Sequence, residues 1–210
     1  MTTVVLADSR FKGAEKDSNF PRSQFRFNVQ PGSKIGDHKS FVKKLKGHDV
    51  GLLYIIAVGI NDIPEDIANK SNKDVDILFT KTITKFMSLC KTIRKKSPKA
   101  QIIIATIAPK NLSQSVRKYP TKSTISELEI TNHHQLSFEH FVTRLNTYIN
   151  DFNTIHTGYH LPLHTGLRIH RGHRKCKFRY DKFTDGIHPN KDLKSVWFQK
   201  IRNLSQILTQ

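Results

Sequence analysis

A serine, an aspartate and a histidine stand where they could support nucleophilic chemistry. Ser9 directly follows a short apolar run, and only two residues separate Asp185 from His188 near the C-terminus. A serine hydroxyl is a weak nucleophile unless an imidazole takes its proton, and that imidazole needs a carboxylate to fix its tautomer and stabilise its cation. The three residue types therefore indicate serine-hydrolase chemistry, provided that the fold brings Ser9 to the Asp185–His188 pair.

The same chemistry needs hydrogen-bond donors for the oxyanion of a tetrahedral intermediate. A glycine N–H and an asparagine amide follow two further apolar runs, at Gly32 and at Asn61. Simpler interpretations stay open. Ser9 could be an ordinary turn residue, Asn61 could cap the segment that follows it, and His188 could cap the last helix.

Strands and helices must position these residues, and both alternate along the sequence. Apolar runs predict strands at 3–7, 25–29, 52–58 and 101–107, and helical spacing predicts helices at 75–93, 138–152 and 192–208. Such alternation is typical of a mainly parallel sheet covered by helices. Ligands bind at the carboxyl ends of the strands in such sheets, and the candidate residues follow the predicted strands at those ends.

In these blocks the sequence resembles the SGNH, or GDSL-like, hydrolases. Their blocks run G-D-S, G, G-x-N-D and D-x-x-H, and they stand here as Ala7-Asp8-Ser9, Gly32, Gly59-Ile60-Asn61-Asp62 and Asp185-Gly186-Ile187-His188. Gly36 is an alternative match for the second block, although Gly32 follows its strand more closely. The resemblance spans nearly the whole chain and implies an α/β three-layer sandwich around a mainly parallel sheet of five strands.

The resemblance also implies roles for the site residues. Ser9 would be the nucleophile, His188 the base and Asp185 its partner, while Gly32 and Asn61 would complete the oxyanion hole. The implied activity is hydrolysis of an acyl or acetyl ester.

Two residues depart from the family pattern. Ala7 replaces the glycine of the first block, and Arg10 follows the serine where the family has an apolar residue. The chain is also more basic than typical enzymes of this family. It resembles esterase-like domains of invertebrate retroelements, which have similar P-G-x and D-G-x-H-x blocks, and the C-terminal domain of Oskar, an SGNH-like fold that binds RNA without a working active site. A catalytically silent RNA-binding module is therefore the alternative function.

The charge balance predicts a polyanionic partner. Lysine and arginine total 35 against 17 acidic residues, a net charge of +18, and such an excess is usually kept for nucleic acid or an anionic surface. RNA or other nucleic acid is the first candidate. Forked guanidinium groups bind phosphates and aromatic rings stack on bases. The densest stretch of such residues contains Arg168, Arg171, Arg174, Lys175, Lys177, Arg179 and Tyr180.

Composition gives the remaining expectations. The two cysteines, Cys90 and Cys176, make no disulfide framework, so we expect a reducing, intracellular location in cytoplasm or nucleus. We expect no cofactor and no metal site, since His170, His173 and Cys176 lack a fourth ligand nearby. Residues 1–210 are predicted to form one domain, with a mobile insertion at 110–135 that could act as a lid or binding loop.

Overall fold

A parallel sheet forms the centre of the computed structural model, which describes residues 2–46, 51–165, 167–171 and 174–209, with the backbone alone for 168–171, 174–177 and 209. Its strands are β1 (Thr3–Asp8), β2 (Phe25–Gln30), β3 (Leu53–Ala57) and β4 (Gln101–Ile104), in the order β2-β1-β3-β4. All three pairings are parallel. The predicted α/β class with a parallel sheet is confirmed.

Within the described part of the chain the sheet has four strands, where the resemblance implied five. Where a fifth strand would pair, there is a single parallel bridge. It joins Leu161 to Ala105, the residue that directly follows β4. Pro162 comes next and has no N–H to donate, so the ladder cannot continue through it. Thr106 extends the contact instead: its N–H donates to the Leu161 carbonyl at 3.1 Å, and its hydroxyl accepts from Leu163 N at 2.9 Å.

Helices cover both faces of the sheet. They are α1 (His38–Lys44), α2 (Asn72–Lys96), α3 (Leu112–Lys118), α4 (Asn132–His156) and α5 (Lys191–Thr209). Side chains alternate along a strand, so Val4 and Leu6 of β1 pack with α2 and α4, whereas Val5 and Ala7 pack with α5. The result is three layers, and β1 and β3 are buried throughout because both of their faces are covered.

The long helices exceed the predicted ranges because polar residues cap them. Ser71 accepts a hydrogen bond from Asp74 N at 3.2 Å at the start of α2, and Asn190 accepts from Leu193 N at 2.9 Å at the start of α5. These side chains satisfy backbone donors that a helix N-terminus leaves unpaired. No helix among the described residues has the length and apolar character needed to cross a bilayer.

Two segments contain structure that the apolar periodicity did not indicate. The predicted insertion at 110–135 holds α3 and two short 3-10 helices, Pro120–Lys122 and Glu127–Glu129. The basic stretch forms an antiparallel pair, β5 (Arg168–Arg171) with β6 (Arg174–Phe178). Mobility of the insertion stays a prediction.

Candidate active site

The ends of three strands meet the loop before α5 at one edge of the sheet. Ser9 follows β1, Gly32 follows β2, and Asn61 follows β3 by four residues. Asp185 and His188 lie in the loop that leads into α5. All five residues line one cleft of about 770 Å³, which is the place where ligands bind in open parallel sheets.

Ser9, His188 and Asp185 form a continuous hydrogen-bonded chain. The Ser9 hydroxyl lies 2.9 Å from His188 Nε2, and His188 Nδ1 lies 2.7 Å from Asp185 Oδ2. The His188 side chain lines the cleft and is 30% exposed, whereas that of Asp185 is 14% exposed. This arrangement can take the proton of the serine hydroxyl and stabilise the resulting imidazolium.

Asp185 is held as a carboxylate. Its partial burial would raise its pKa, but hydrogen bonds from the His188 backbone and ring, from the Tyr119 hydroxyl and from Ile187 N outweigh burial and lower the pKa to about 2. Asp185 Oδ1 accepts from His188 N at 2.8 Å, so the same carboxylate fixes both the backbone and the ring of the histidine. The partner of the imidazole therefore stays ionised at any pH near neutrality.

Gly186 makes the Asp185–His188 turn possible. Its φ is +80°, and a Cβ there would lie 2.7 Å from the Asn111 carbonyl oxygen and 2.8 Å from Gln114 Cβ. Asn111 N donates to the Gly186 carbonyl at 2.8 Å, which binds the turn to the start of α3. Only glycine combines this conformation with this close approach.

Asn61 and Gly32 line the same cleft as the histidine. Asn61 Nδ2 donates to the Ser33 carbonyl at 3.0 Å, and the second proton of this amide remains for another acceptor. Gly36, the alternative match for the second block, lies in the 3-10 turn Ile35–Asp37 and does not line the cleft. The geometry thus favours Gly32 over Gly36 as the oxyanion donor.

A buried histidine that the sequence did not indicate supports the Gly32 turn. His38 is fully buried, and burial lowers its pKa, with Asp37, Asp8 and Asp62 acting in the opposite direction. Its ring nitrogens lie 3.0 Å from Ser33 Oγ and 2.8 Å from Asn28 Nδ2. The ring joins the end of β2 to the loop that carries Gly32.

Arg10 is buried beneath the nucleophile. Its guanidinium donates to both carboxylate oxygens of Asp8, at 2.9 Å and 2.8 Å, and to the Ala108 carbonyl at 3.3 Å. The guanidinium carbon lies 6.0 Å from the ring centroid of Trp197 in α5. Arg10 therefore ties the Ser9 turn to α5, and its charge does not contribute to the exposed basic surface.

Tyr119 is a further site residue that sequence reasoning missed, since a lone tyrosine in a segment without periodicity carries no signal. Its hydroxyl donates to Asp185 Oδ2 at 2.8 Å, and this hydrogen bond raises the pKa of Tyr119. Replacement by phenylalanine removes one of the bonds that hold Asp185 ionised and in place.

We expect Tyr119→Phe to lower kcat for an ester substrate by about tenfold with little change in KM, since a hydrogen bond to a charged group contributes about 1.5–3 kcal/mol. Steady-state kinetics of wild type and variant measure the effect. Equal kcat values would show that Asp185 does not depend on this bond.

The predicted nucleic-acid residues fall in three groups. The side chains of Arg168, Arg171, Arg174, Lys175 and Lys177 lie outside the described residues. Arg179 is exposed and pairs with Asp181 at 2.9 Å. Tyr180 donates to Glu139 and accepts from Gln135 Nε2 at 2.6 Å. Its burial and the neighbouring Glu139 both raise its pKa. This packed phenol is a poor platform for a base.

Solved structures resemble the chain over nearly its full length. A GDSL-like lipase from Bacteroides thetaiotaomicron matches with a TM-score of 0.66 and 15% identity, covering 98% of this chain and 88% of that one. An acetyl esterase, as a serine-to-alanine mutant with an acetate ion, matches with a TM-score of 0.58 and 13% identity, covering 100% and 99%. A carbohydrate esterase of family 3 from Talaromyces cellulolyticus gives 0.55 and 13%, covering 100% and 99%.

No protein-family model and no curated protein matches the sequence. The likeness to solved structures nevertheless extends over the whole architecture of this chain, a parallel sheet with helices on both faces. The chain has the α/β fold of the SGNH, or GDSL-like, hydrolases.

Proposed function

We propose that this protein is a serine ester hydrolase with Ser9 as nucleophile, His188 as general base and acid, and Asp185 as the partner of the histidine. The observation that carries the proposal is the unbroken chain from Ser9 Oγ through the His188 ring to Asp185, opening on a cleft at the carboxyl edge of the sheet. Such a chain is recognised by geometry and roles and not by sequence position.

The reaction follows from the positions of these groups. Ser9 Oγ attacks the ester carbonyl carbon while its proton passes to His188 Nε2, and the carbonyl oxygen becomes an oxyanion facing Asn61 and the Gly32 turn. The ester C–O bond then breaks, and the leaving alcohol takes the proton from His188. Water attacks the acyl group on Ser9 and gives its proton to the same nitrogen. The carboxylic acid leaves, and the proton returns to Ser9.

Acetyl is the acyl group we propose. Two of the similar solved structures are named as an acetyl esterase and a carbohydrate esterase, and the GDSL-like lipase shares the fold. Most of the residues that line the cleft carry a polar or charged group.

We expect the wild-type protein to hydrolyse 4-nitrophenyl acetate. His188→Ala should lower kcat/KM by at least about a hundredfold, because general base catalysis alone raises the rate by a factor of about 10²–10⁴. Release of 4-nitrophenol measures both rates. His133→Ala, a change on the exposed start of α4, is the matched control and should behave as wild type. A wild type no faster than His188→Ala would contradict the proposal.

A nucleic-acid partner is the second candidate, and the net charge of +18 favours it. We propose that the β5–β6 pair binds along a phosphate backbone. The protein would do so either in addition to hydrolysis or without it, as a catalytically silent SGNH-fold RNA-binding module.

An intracellular location belongs to the same proposal. Cys90 fits it as a buried core residue, because burial raises its pKa to about 12 and keeps the thiol unreactive.

We expect the triple variant Arg171→Ala/Arg174→Ala/Lys175→Ala to bind a mixed-sequence single-stranded RNA more weakly. The slope of log K against log salt should flatten by about two, because each lost phosphate contact contributes about 0.7. Lys95→Ala/Lys96→Ala/Lys99→Ala removes the same charge at the end of α2 and serves as the control. An unchanged slope in the first variant would remove the β5–β6 pair from the binding surface.

A further inference from the structure

The cleft carries more positive charge than ester hydrolysis uses. Two carboxylates and five lysines contribute to its lining, a formal excess of three positive charges. The lysines are Lys12, Lys110, Lys122, Lys191 and Lys194. Both carboxylates already have partners, since Asp185 binds His188 and Glu65 pairs with the buried ammonium of Lys110.

The other four lysines have no carboxylate partner among the described residues. Lys12, Lys122 and Lys191 are exposed, and Lys194 is partly buried. Lys122 Nζ lies 5.5 Å from the ring centroid of Tyr119, and Lys194 Nζ donates to the Lys12 carbonyl at 3.3 Å. None of these contacts neutralises the charge, so it is available to a ligand in the cleft.

Three of these lysines follow the site residues closely in sequence and line the same cleft. His188 must deliver its proton to the leaving alcohol, so the alcohol portion of an ester lies beside the imidazole. Lys191 and Lys194 are the first and fourth residues of α5, which begins three residues after His188. Lys12 follows Ser9 by three residues, and its carbonyl accepts from Lys194 Nζ, which joins the Ser9 turn to α5.

Resting on the proposed esterase function, we propose that this site selects esters whose alcohol portion carries a negative charge, as a carboxylate or a phosphate. A cleft lined by one sign of charge concentrates and retains ligands of the opposite sign. The anionic group would lie against Lys12, Lys191 and Lys194, while the acyl carbonyl faces Asn61 and Gly32. A cationic alcohol portion would be repelled by the same lysines.

A matched pair of acetate esters tests the proposal. 4-Acetoxybenzoate and 4-acetoxybenzamide have the same shape and differ by one charge. Each kcat/KM is divided by the rate constant for hydroxide-catalysed hydrolysis of the same ester, which removes their difference in intrinsic reactivity. We expect the benzoate to be preferred by about tenfold at low salt, with the preference shrinking as salt is added. 4-Acetoxyphenyl phosphate tests phosphate in the same way, and a preference for that ester alone would identify phosphate as the recognised group.

Substitutions identify the source of the preference. Lys12→Gln/Lys191→Gln removes two exposed side chains of the cleft and should lower the ratio of benzoate to benzamide by about tenfold. Lys95→Gln/Lys96→Gln lowers the net charge equally at the far end of α2 and should leave the ratio unchanged. A wild-type ratio near one for both anionic esters, or a ratio that the first variant does not move, would overturn the proposal.

Binding to Ser9→Ala separates this inference from the esterase function. 4-Acetamidobenzoate and 4-acetamidobenzamide replace the ester with an amide of the same shape, and calorimetry measures both affinities. Tighter binding of the benzoate that is lost in Lys12→Gln/Lys191→Gln supports charge selection, even if no Ser9-dependent hydrolysis occurs. Equal binding of both compounds, together with Ser9-dependent hydrolysis, overturns charge selection and leaves the esterase function in place.

Discussion

Ser9→Ala is expected to reduce kcat for 4-nitrophenyl acetate by at least about a thousandfold. The alanine removes the only atom that can form the acyl intermediate, and the other members of such a triad do not replace a lost nucleophile. His188 and Asp185 should keep their positions, because Asp185 also binds the backbone N–H groups of Ile187 and His188. Initial rates at saturating substrate measure the effect.

A nearby serine gives a matched control for this loss. Ser123→Ala removes another hydroxyl from the cleft lining, one that accepts a hydrogen bond from Ile125 N, and it should retain most of the turnover. Comparable activity in Ser9→Ala and wild type would assign any observed hydrolysis to a different group.

Arg10→Ala is expected to lower the free energy of unfolding by about 3–5 kcal/mol. The Asp8–Arg10 pair is almost completely buried, with side chains 1% and 5% exposed, and loss of one partner leaves an uncompensated charge in the interior. Equilibrium denaturation monitored through Trp197 measures the change, since that ring lies against the guanidinium.

Controls distinguish the buried pair from a general effect of charge. Arg22→Ala removes an exposed arginine and should change the free energy of unfolding by no more than about 0.5 kcal/mol. Asp8→Asn/Arg10→Met removes both charges and should be more stable than Arg10→Ala. If Arg10→Ala proves as stable as Arg22→Ala, the pair does not hold the Ser9 turn.

The strands and long helices were predictable because burial gives them a simple pattern. β1 and β3 are buried throughout since helices cover both faces, and apart from Thr3 and Asp8 at the ends of β1 their residues are apolar. The helices α2, α4 and α5 bury one stripe each. The four apolar runs predicted the four strands of the sheet, whereas the resemblance alone implied a fifth. Pro162 stops the ladder after the single bridge at Leu161.

The candidate site likewise contains residues that the sequence predicted and residues that it did not. The two-residue gap between Asp185 and His188 predicts their contact within one turn, and the carboxyl ends of parallel strands bring Ser9 to them. Tyr119 and His38 reach the site through packing between elements distant in sequence, which leaves no local pattern. Arg10 was interpreted as a departure from the family pattern that favours a catalytically silent module, whereas its contacts with Asp8 and Trp197 place it in the interior.

The most direct test of the central claim is covalent labelling with a serine-reactive fluorophosphonate. Phosphonylation requires a hydroxyl activated by a neighbouring base, so wild type should gain a single adduct in intact-mass spectra, and peptide mapping should locate it at Ser9. Ser9→Ala should gain none, and His188→Ala should react far more slowly than wild type. An unlabelled wild-type protein, or an adduct on a different residue, would contradict the account.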